Sequence, residues 1–188
     1  MKKVLISLVF LLFMTTFVNA EEKVKVYLFE AGDCPYCERE EQYLKGLESY
    51  GTKFEIVQKE LYVDHIDWAL GRDYELGKKV AETFFEKGYE DASYKETPFV
   101  VISDVYAVAS YDDDLATIID NVYLEGDKDA VSCIENSAEG QELSCIRDGV
   151  DARAKIVEPE SKASMVIAVI AAIAFVGAII FVFKTKEN

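Results

Sequence analysis

Two cysteines two residues apart, Cys34-Pro35-Tyr36-Cys37, stand between a run that reads as a β-strand, residues 24–30, and one that reads as a helix, residues 35–50. This placement constrains the chain more than any other feature, because a cysteine at the mouth of a helix is set up to become a thiolate. With Cys34 as N-cap, Pro35 falls at the first helical position, where its missing N–H leaves nothing unsatisfied and its fixed φ suits the helix. The backbone N–H of Cys37 is then one of the unpaired donors of the first turn, within reach of the Cys34 sulfur. That donor and the positive end of the helix dipole both favour S⁻ over SH. Cys34 is therefore the candidate nucleophile. Cys37, one turn along, reaches the same sulfur and can expel a thiol captured there, which makes it the candidate resolving thiol. Asp33, Glu38, Glu40 and Glu41 crowd the motif and act against a further negative charge. A zinc pair is the bland alternative, but zinc needs four ligands, and the remaining candidates are Cys133, Cys145 and the single histidine, His65. No metal and no cofactor is expected.

The two ends set the expected compartment. Residues 1–20 carry Lys2 and Lys3, an apolar core and the small-residue close Val18-Asn19-Ala20, the pattern of a signal peptide cleaved before Glu21. An uncleaved N-terminal anchor is the alternative. Residues 165–183, beginning at Met165 and ending at Phe183, contain no charge. At about 1.5 Å per residue they match the hydrocarbon thickness of a lipid bilayer and predict one C-terminal transmembrane helix. Small residues four apart, Ala168, Ala172, Ala174 and Ala178, suit pairing of two such helices. Lys184 and Lys186 follow, so the positive-inside tendency puts residues 184–188 in the cytoplasm and the cysteines on the extracytoplasmic side of the cell membrane. The same lysines match a dilysine retrieval pattern, which makes the endoplasmic reticulum lumen the alternative. Four cysteines in an exported chain are expected to pair, and a Cys133–Cys145 structural disulfide is the default for the second two. A second redox pair exchanging with Cys34 and Cys37 is the sharper alternative. Residues 21–164 hold 16 Lys and Arg against 34 Asp and Glu, a net charge near −18. This excludes a nucleic-acid footprint, which needs a basic face.

Between the ends, residues 21–130 suffice for one compact core, and residues 131–164 read as a cysteine-containing extension and a polar stalk. Residues 54–57 read as a second strand, parallel to the first across a right-handed βαβ crossover. The helix between them is expected to bury Tyr43, Leu44, Leu47 and Tyr50 and to end at Gly51. Residues 60–94 read as mostly helical in two pieces, broken at Gly71 and closing at Gly88. His65 and Trp68 share a turn of the first piece, so His65 is a candidate proton shuttle, with an ordinary partly exposed histidine as the plainer reading. Thr97-Pro98 opens the apolar run 99–102, and a hairpin through Ser103-Asp104 leads to a strand at 105–110. One of Asp112, Asp113 or Asp114 caps a closing helix with Leu115, Ile118, Ile119, Val122 and Tyr123 on its apolar face.

The order β, CxxC, α, β, helices, proline-led β, β, α resembles the thioredoxin fold, an α/β fold with a central mixed sheet of about four strands flanked by helices. Cys34-Pro35-Tyr36-Cys37 is the sequence that glutaredoxins carry, and Thr97-Pro98 resembles the cis-proline element of the superfamily. The resemblance covers residues 24–124. It implies that Pro98 is cis beside the CxxC and that the Thr97 backbone pairs with an extended substrate, so Pro35, Tyr36, Thr97 and Pro98 are the candidate substrate-binding residues. The chain departs from the pattern at Leu28, where thioredoxins place a buried aspartate, and at Ala109-Ser110-Tyr111, where glutaredoxins place a Gly-Gly pair that helps to hold glutathione. The region before the cis-proline strand is longer than in a small glutaredoxin, so an enlarged helical segment is expected there. The resulting expectation is a membrane-tethered, extracytoplasmic thiol-disulfide oxidoreductase acting on protein thiols and disulfides with an unidentified redox partner protein. The alternative is a non-catalytic peptide-binding or chaperone module whose CxxC stays a structural disulfide.

Overall fold

The computed structural model describes residues 22–64 and 66–148. The expected signal peptide, most of the stalk, the tail and His65 lie outside the described residues. The expected fold class is corrected in its membrane part: among the described residues no helix is long and apolar enough to cross a membrane. Residues 165–183 lie outside them.

Four strands form one mixed sheet in the order β2-β1-β3-β4. Strand β1 (Val24–Ala31) pairs parallel with β2 (Phe54–Tyr62) and antiparallel with β3 (Phe99–Ile102), which pairs antiparallel with β4 (Tyr106–Val108). Helix α1 (Pro35–Gly46) joins β1 to β2, α2 (Tyr74–Glu86) joins β2 to β3, and α3 (Leu115–Glu125) follows β4. A short helix α4 (Ala130–Asn136) and a 3-10 turn (Glu142–Cys145) close the described chain.

Strand β1 is apolar on both sides because each side faces a separate core. Val24, Val26 and Leu28 point into a cluster with Leu44 of α1 and Leu115, Ile118 and Ile119 of α3. Tyr27, Phe29 and Ala31 point into the other, with Val80 and Phe84 of α2 and Val131 and Ile134 of α4. Helix α2 lies close to the sheet at Gly77, where an added Cβ would stand 2.5 Å from Leu61 Cδ1 and 3.0 Å from Phe29 Cδ1.

Two local expectations change. Helix α1 stops at Gly46 rather than running to residue 50, because Leu47 turns to extended backbone and the Ser49 carbonyl accepts from the N–H groups of Thr52 and Lys53. Tyr50 is exposed and sets its ring edge-on to Phe54. The enlarged helical segment is replaced by a longer strand, a loop and one helix. Residues 60–62 pair with β1, and Leu70 returns to bridge Tyr62. The exchange favours the sheet because Leu61 and Tyr62 are buried there, a gain that outweighs the local helical pattern.

Of residues 131–147, expected as an extension beyond the domain, Val131, Ile134, Cys145 and Ile146 enter its core. Asp129 caps α4 by accepting from the Ser132 N–H at 3.0 Å, and it also receives Lys25 Nζ and Tyr27 Oη from β1, each at 2.8 Å. Lys25 and the other donors hold its carboxyl below the usual range against the opposing effect of burial, while burial and the bond to Asp129 push the Tyr27 hydroxyl up. Beyond the 3-10 turn, Arg147 grips the buried Asp104 of the β3–β4 turn through Nε and Nη2 at 2.7–2.9 Å, and Nη1 reaches Glu125 at 2.9 Å.

Candidate functional site

Strand β1 ends at Ala31, and Gly32 and Asp33 carry the chain off the end of the sheet into α1. Asp33 takes φ +56°, a left-handed conformation that aspartate tolerates, and delivers Cys34 to the helix N-cap. There Cys34 has extended backbone (φ −85°, ψ 107°), Pro35 occupies the first turn, and the Cys37 N–H donates to Cys34 Sγ at 3.2 Å. Cys34 and Cys37 are bonded to each other, both nearly buried, while Pro35 and Tyr36 between them are exposed. The Arg39 guanidinium lies over the Tyr36 ring at 5.4 Å and over the Tyr111 ring at 5.9 Å, which links the motif to the loop after β4.

The Thr97–Pro98 peptide is cis. It places Thr97 against the cysteines across 63 residues of sequence: the Thr97 hydroxyl donates to Cys34 Sγ at 3.6 Å, and the Thr97 carbonyl oxygen is 3.9 Å from the same sulfur. Pro98 is buried and Thr97 partly exposed. Cys34, Cys37, Pro35, Tyr36, Thr97 and Pro98 thus meet at one end of the sheet.

Cys133 and Cys145 are bonded to each other, clamping α4 to the 3-10 turn. Their anchor, Asp129, sits at Lys25 and Tyr27, whereas Cys34 follows Ala31. Cys133 and Cys145 line a pocket with Asp129 and with Asp104 of the β3–β4 turn, toward the end of β1 opposite Cys34. Among the described residues no group of three His, Cys, Asp or Glu side chains is arranged to hold a metal ion.

Glu40, one of the four acidic residues that crowd the motif in the sequence, turns into the core beside it. It lies one turn after Cys37 on the face of α1 that also buries Leu44, and it is fully buried. Its Oε2 accepts from the Asp112 N–H at 3.1 Å, and its Oε1 has no hydrogen-bond partner. Burial, together with the charges of Asp112 and Asp113, pushes the carboxyl up to about 7 despite the Asp112 donor. The spacing Cys37, Glu40, Leu44 was the available signal, since it puts a glutamate on the core stripe of the helix. The aspartate run serves this junction: Asp112 accepts from the Tyr106 hydroxyl at 2.7 Å and from the Asp114 N–H at 2.9 Å, while Asp114 at the N-cap of α3 makes no side-chain cap.

A separate groove of about 830 Å³ runs beside β4, lined among others by Tyr89, Glu90, Glu96 and Tyr111, and includes neither Cys34 nor Cys37.

Compared with protein-family models, with curated proteins and with solved structures, the chain matches none. What defines its class is therefore the architecture itself. A small α/β domain with a mixed four-stranded sheet and a CxxC pair is compatible with a thioredoxin-like fold. A CxxC pair in that setting is consistent with thiol-disulfide exchange.

Proposed function

We propose that this protein is a thiol-disulfide oxidoreductase of thioredoxin and glutaredoxin type, acting on cysteine pairs of other proteins. The observation that carries the reading is the convergence on Cys34 Sγ of the Cys37 N–H at the helix mouth and the Thr97 hydroxyl from the start of the neighbouring strand β3. Both are donors that favour a sulfur anion.

From the closed disulfide, a client thiolate attacks Cys34 Sγ. The Cys34–Cys37 bond breaks, a client–Cys34 disulfide forms, and Cys37 leaves as a thiolate that takes up a proton. The client's second thiolate then attacks its own sulfur in the mixed disulfide and expels Cys34, so the client is oxidised and the pair reduced. The reverse sequence reduces a client: Cys34 attacks, and Cys37 resolves after giving up its proton. In either direction a partner protein bearing its own dithiol or disulfide returns the pair to its starting state. Thr97 and Pro98 hold the client backbone beside the sulfur, with Pro35 and Tyr36 on the exposed rim. The second disulfide supports a compartment where disulfides persist, outside the cytoplasm.

The full chain is expected to catalyse disulfide exchange in a client protein, and Cys34→Ser to abolish it. Full activity in that variant sinks the reading.

A further inference from the structure

We infer that the loop at residues 63–70 is a recognition ledge for client segments in which the reacting cysteine is flanked by a large apolar side chain and by lysine or arginine. The inference rests on the thiol-disulfide reading above and adds the substrate class.

Ten large apolar or aromatic side chains are exposed among the described residues, and four of them fall within these eight: Val63 at 52 %, Ile66 at 73 %, Trp68 at 44 % and Leu70 at 60 %. Exposed apolar side chains scattered singly need no explanation, but a cluster of this kind marks an interaction surface. Its position gives the occupant. The Gly32 N–H donates to the Tyr62 carbonyl at 3.3 Å, and a Cβ on Gly32 would collide with the Val63 carbonyl oxygen. The ledge is thus fitted against the backbone two residues before Cys34.

The loop is built rather than slack. Val63 N–H donates to the Ala69 carbonyl at 2.8 Å, Gly71 N–H to the Leu61 carbonyl at 2.9 Å, and Asp64 Oδ1 accepts from the Ile66 and Asp67 N–H groups at 2.8 and 2.7 Å. Trp68 is held at φ +54°, a region that bulky side chains rarely adopt, with its ring edge-on to Tyr62 at 4.9 Å between centroids. A preformed apolar surface loses little freedom when a ligand settles on it.

Charge decides between an apolar partner of any kind and a basic one. The two segments that meet here, residues 30–39 and 59–72, hold six acidic residues, Glu30, Asp33, Glu38, Glu60, Asp64 and Asp67, against Arg39, Lys59 and Arg72; Arg39 stacks on the Tyr36 ring, and Lys59 and Arg72 pair with Asp73. A segment with cationic residues next to its apolar one is attracted to such a rim, and an acidic segment is repelled.

Trp68 is the only tryptophan of the chain, so it reports occupancy directly. The test titrates the oxidised full chain with two peptides of equal length that lack tryptophan and carry serine at the cysteine position. One has leucine and lysine around that position, the other glycine and glutamate. A saturable change in Trp68 emission is expected with the first, at an affinity about tenfold or more above the second. The double variant I66S/L70S is expected to lose that margin, and L124S, which removes an exposed leucine on α3, to keep it. Equal affinity for the two peptides, or an unchanged margin in I66S/L70S, overturns the inference. Because the peptides have no thiol, this result is independent of whether Cys34 exchanges disulfides, which the C34S assay reads separately.

Discussion

The Thr97 hydroxyl donates to Cys34 Sγ at 3.6 Å although 63 residues separate the two. Antiparallel pairing of β1 with β3, Phe29 opposite Phe99, brings the strand end that carries Cys34 beside the strand start that carries Thr97. If that hydroxyl stabilises a thiolate, its removal without change of shape has a measurable consequence. In Thr97→Val a hydrogen bond to a charged group is lost, and alkylation of reduced Cys34 at neutral pH is expected to slow by about tenfold. An unchanged rate in T97V removes Thr97 from the chemistry.

The two cysteines of the motif are expected to fail differently. Cys37→Ser leaves the Cys34 thiolate able to attack a client disulfide, forming a client–Cys34 disulfide and releasing the client's other sulfur as a thiolate, with no Cys37 thiol to resolve it, so mixed disulfides accumulate and survive on a non-reducing gel. Cys34→Ser captures none. Equal trapping by both variants contradicts the division of roles, and trapping by neither favours a binding module.

Glu40 makes stability depend on pH with a sign opposite to that of an ordinary surface carboxylate. Its folded pKa is raised to about 7 from a usual value of 4.5, so the native state holds the proton more tightly than the unfolded chain. Its contribution is complete below pH 4.5, falls as pH rises through the window to about 7, and is level above it. Glu40→Gln keeps an acceptor for the Asp112 N–H and removes the ionisation. At pH 8 the variant is expected to be more stable than the parent by about 2–3 kcal/mol in denaturant melts, and at pH 4 to match it.

Arg147 is tied to Asp104, whose side chain is only 4 % exposed. Arg147→Ala leaves that buried charge with only the longer ion pair to Lys128 Nζ at 3.5 Å and is expected to lower unfolding free energy by roughly 3 kcal/mol. Combining it with Asp104→Ala should cost less than the sum of the two single changes, because the poorly compensated charge is gone. A strictly additive cycle in urea denaturation contradicts the pairing.

The Cys133–Cys145 bond closes a loop of about thirteen residues, worth near 3 kcal/mol in the chain-entropy account. C133A/C145A should lose about that much in a denaturant melt. Exchange at Cys34 should persist, since the bond lies toward the other end of β1.

What could be read without coordinates was local. The proline after Cys34 and the three-residue step to Cys37 define an N-cap whatever the rest of the chain does, because the first turn's donors are set by backbone geometry alone. The apolar run of β1 likewise announced a strand covered on both faces. Residues 60–70 depart from the helical expectation for the complementary reason. Their periodicity suits a helix, but pairing with β1 buries Leu61 and Tyr62 and throws Val63, Ile66, Trp68 and Leu70 outward, a choice made by partners distant in sequence.

The sequence by itself therefore determined the chemistry on offer: a thiol pair at a helix mouth, a proline-led strand and an acidic surface. Tertiary structure alone decided that Thr97 reaches Cys34, that Glu40 turns inward beneath Cys37, and that Arg147 finds Asp104. Each of those depends on strand register and helix packing, and the energies that select register are summed over two whole cores rather than written in any short run of residues.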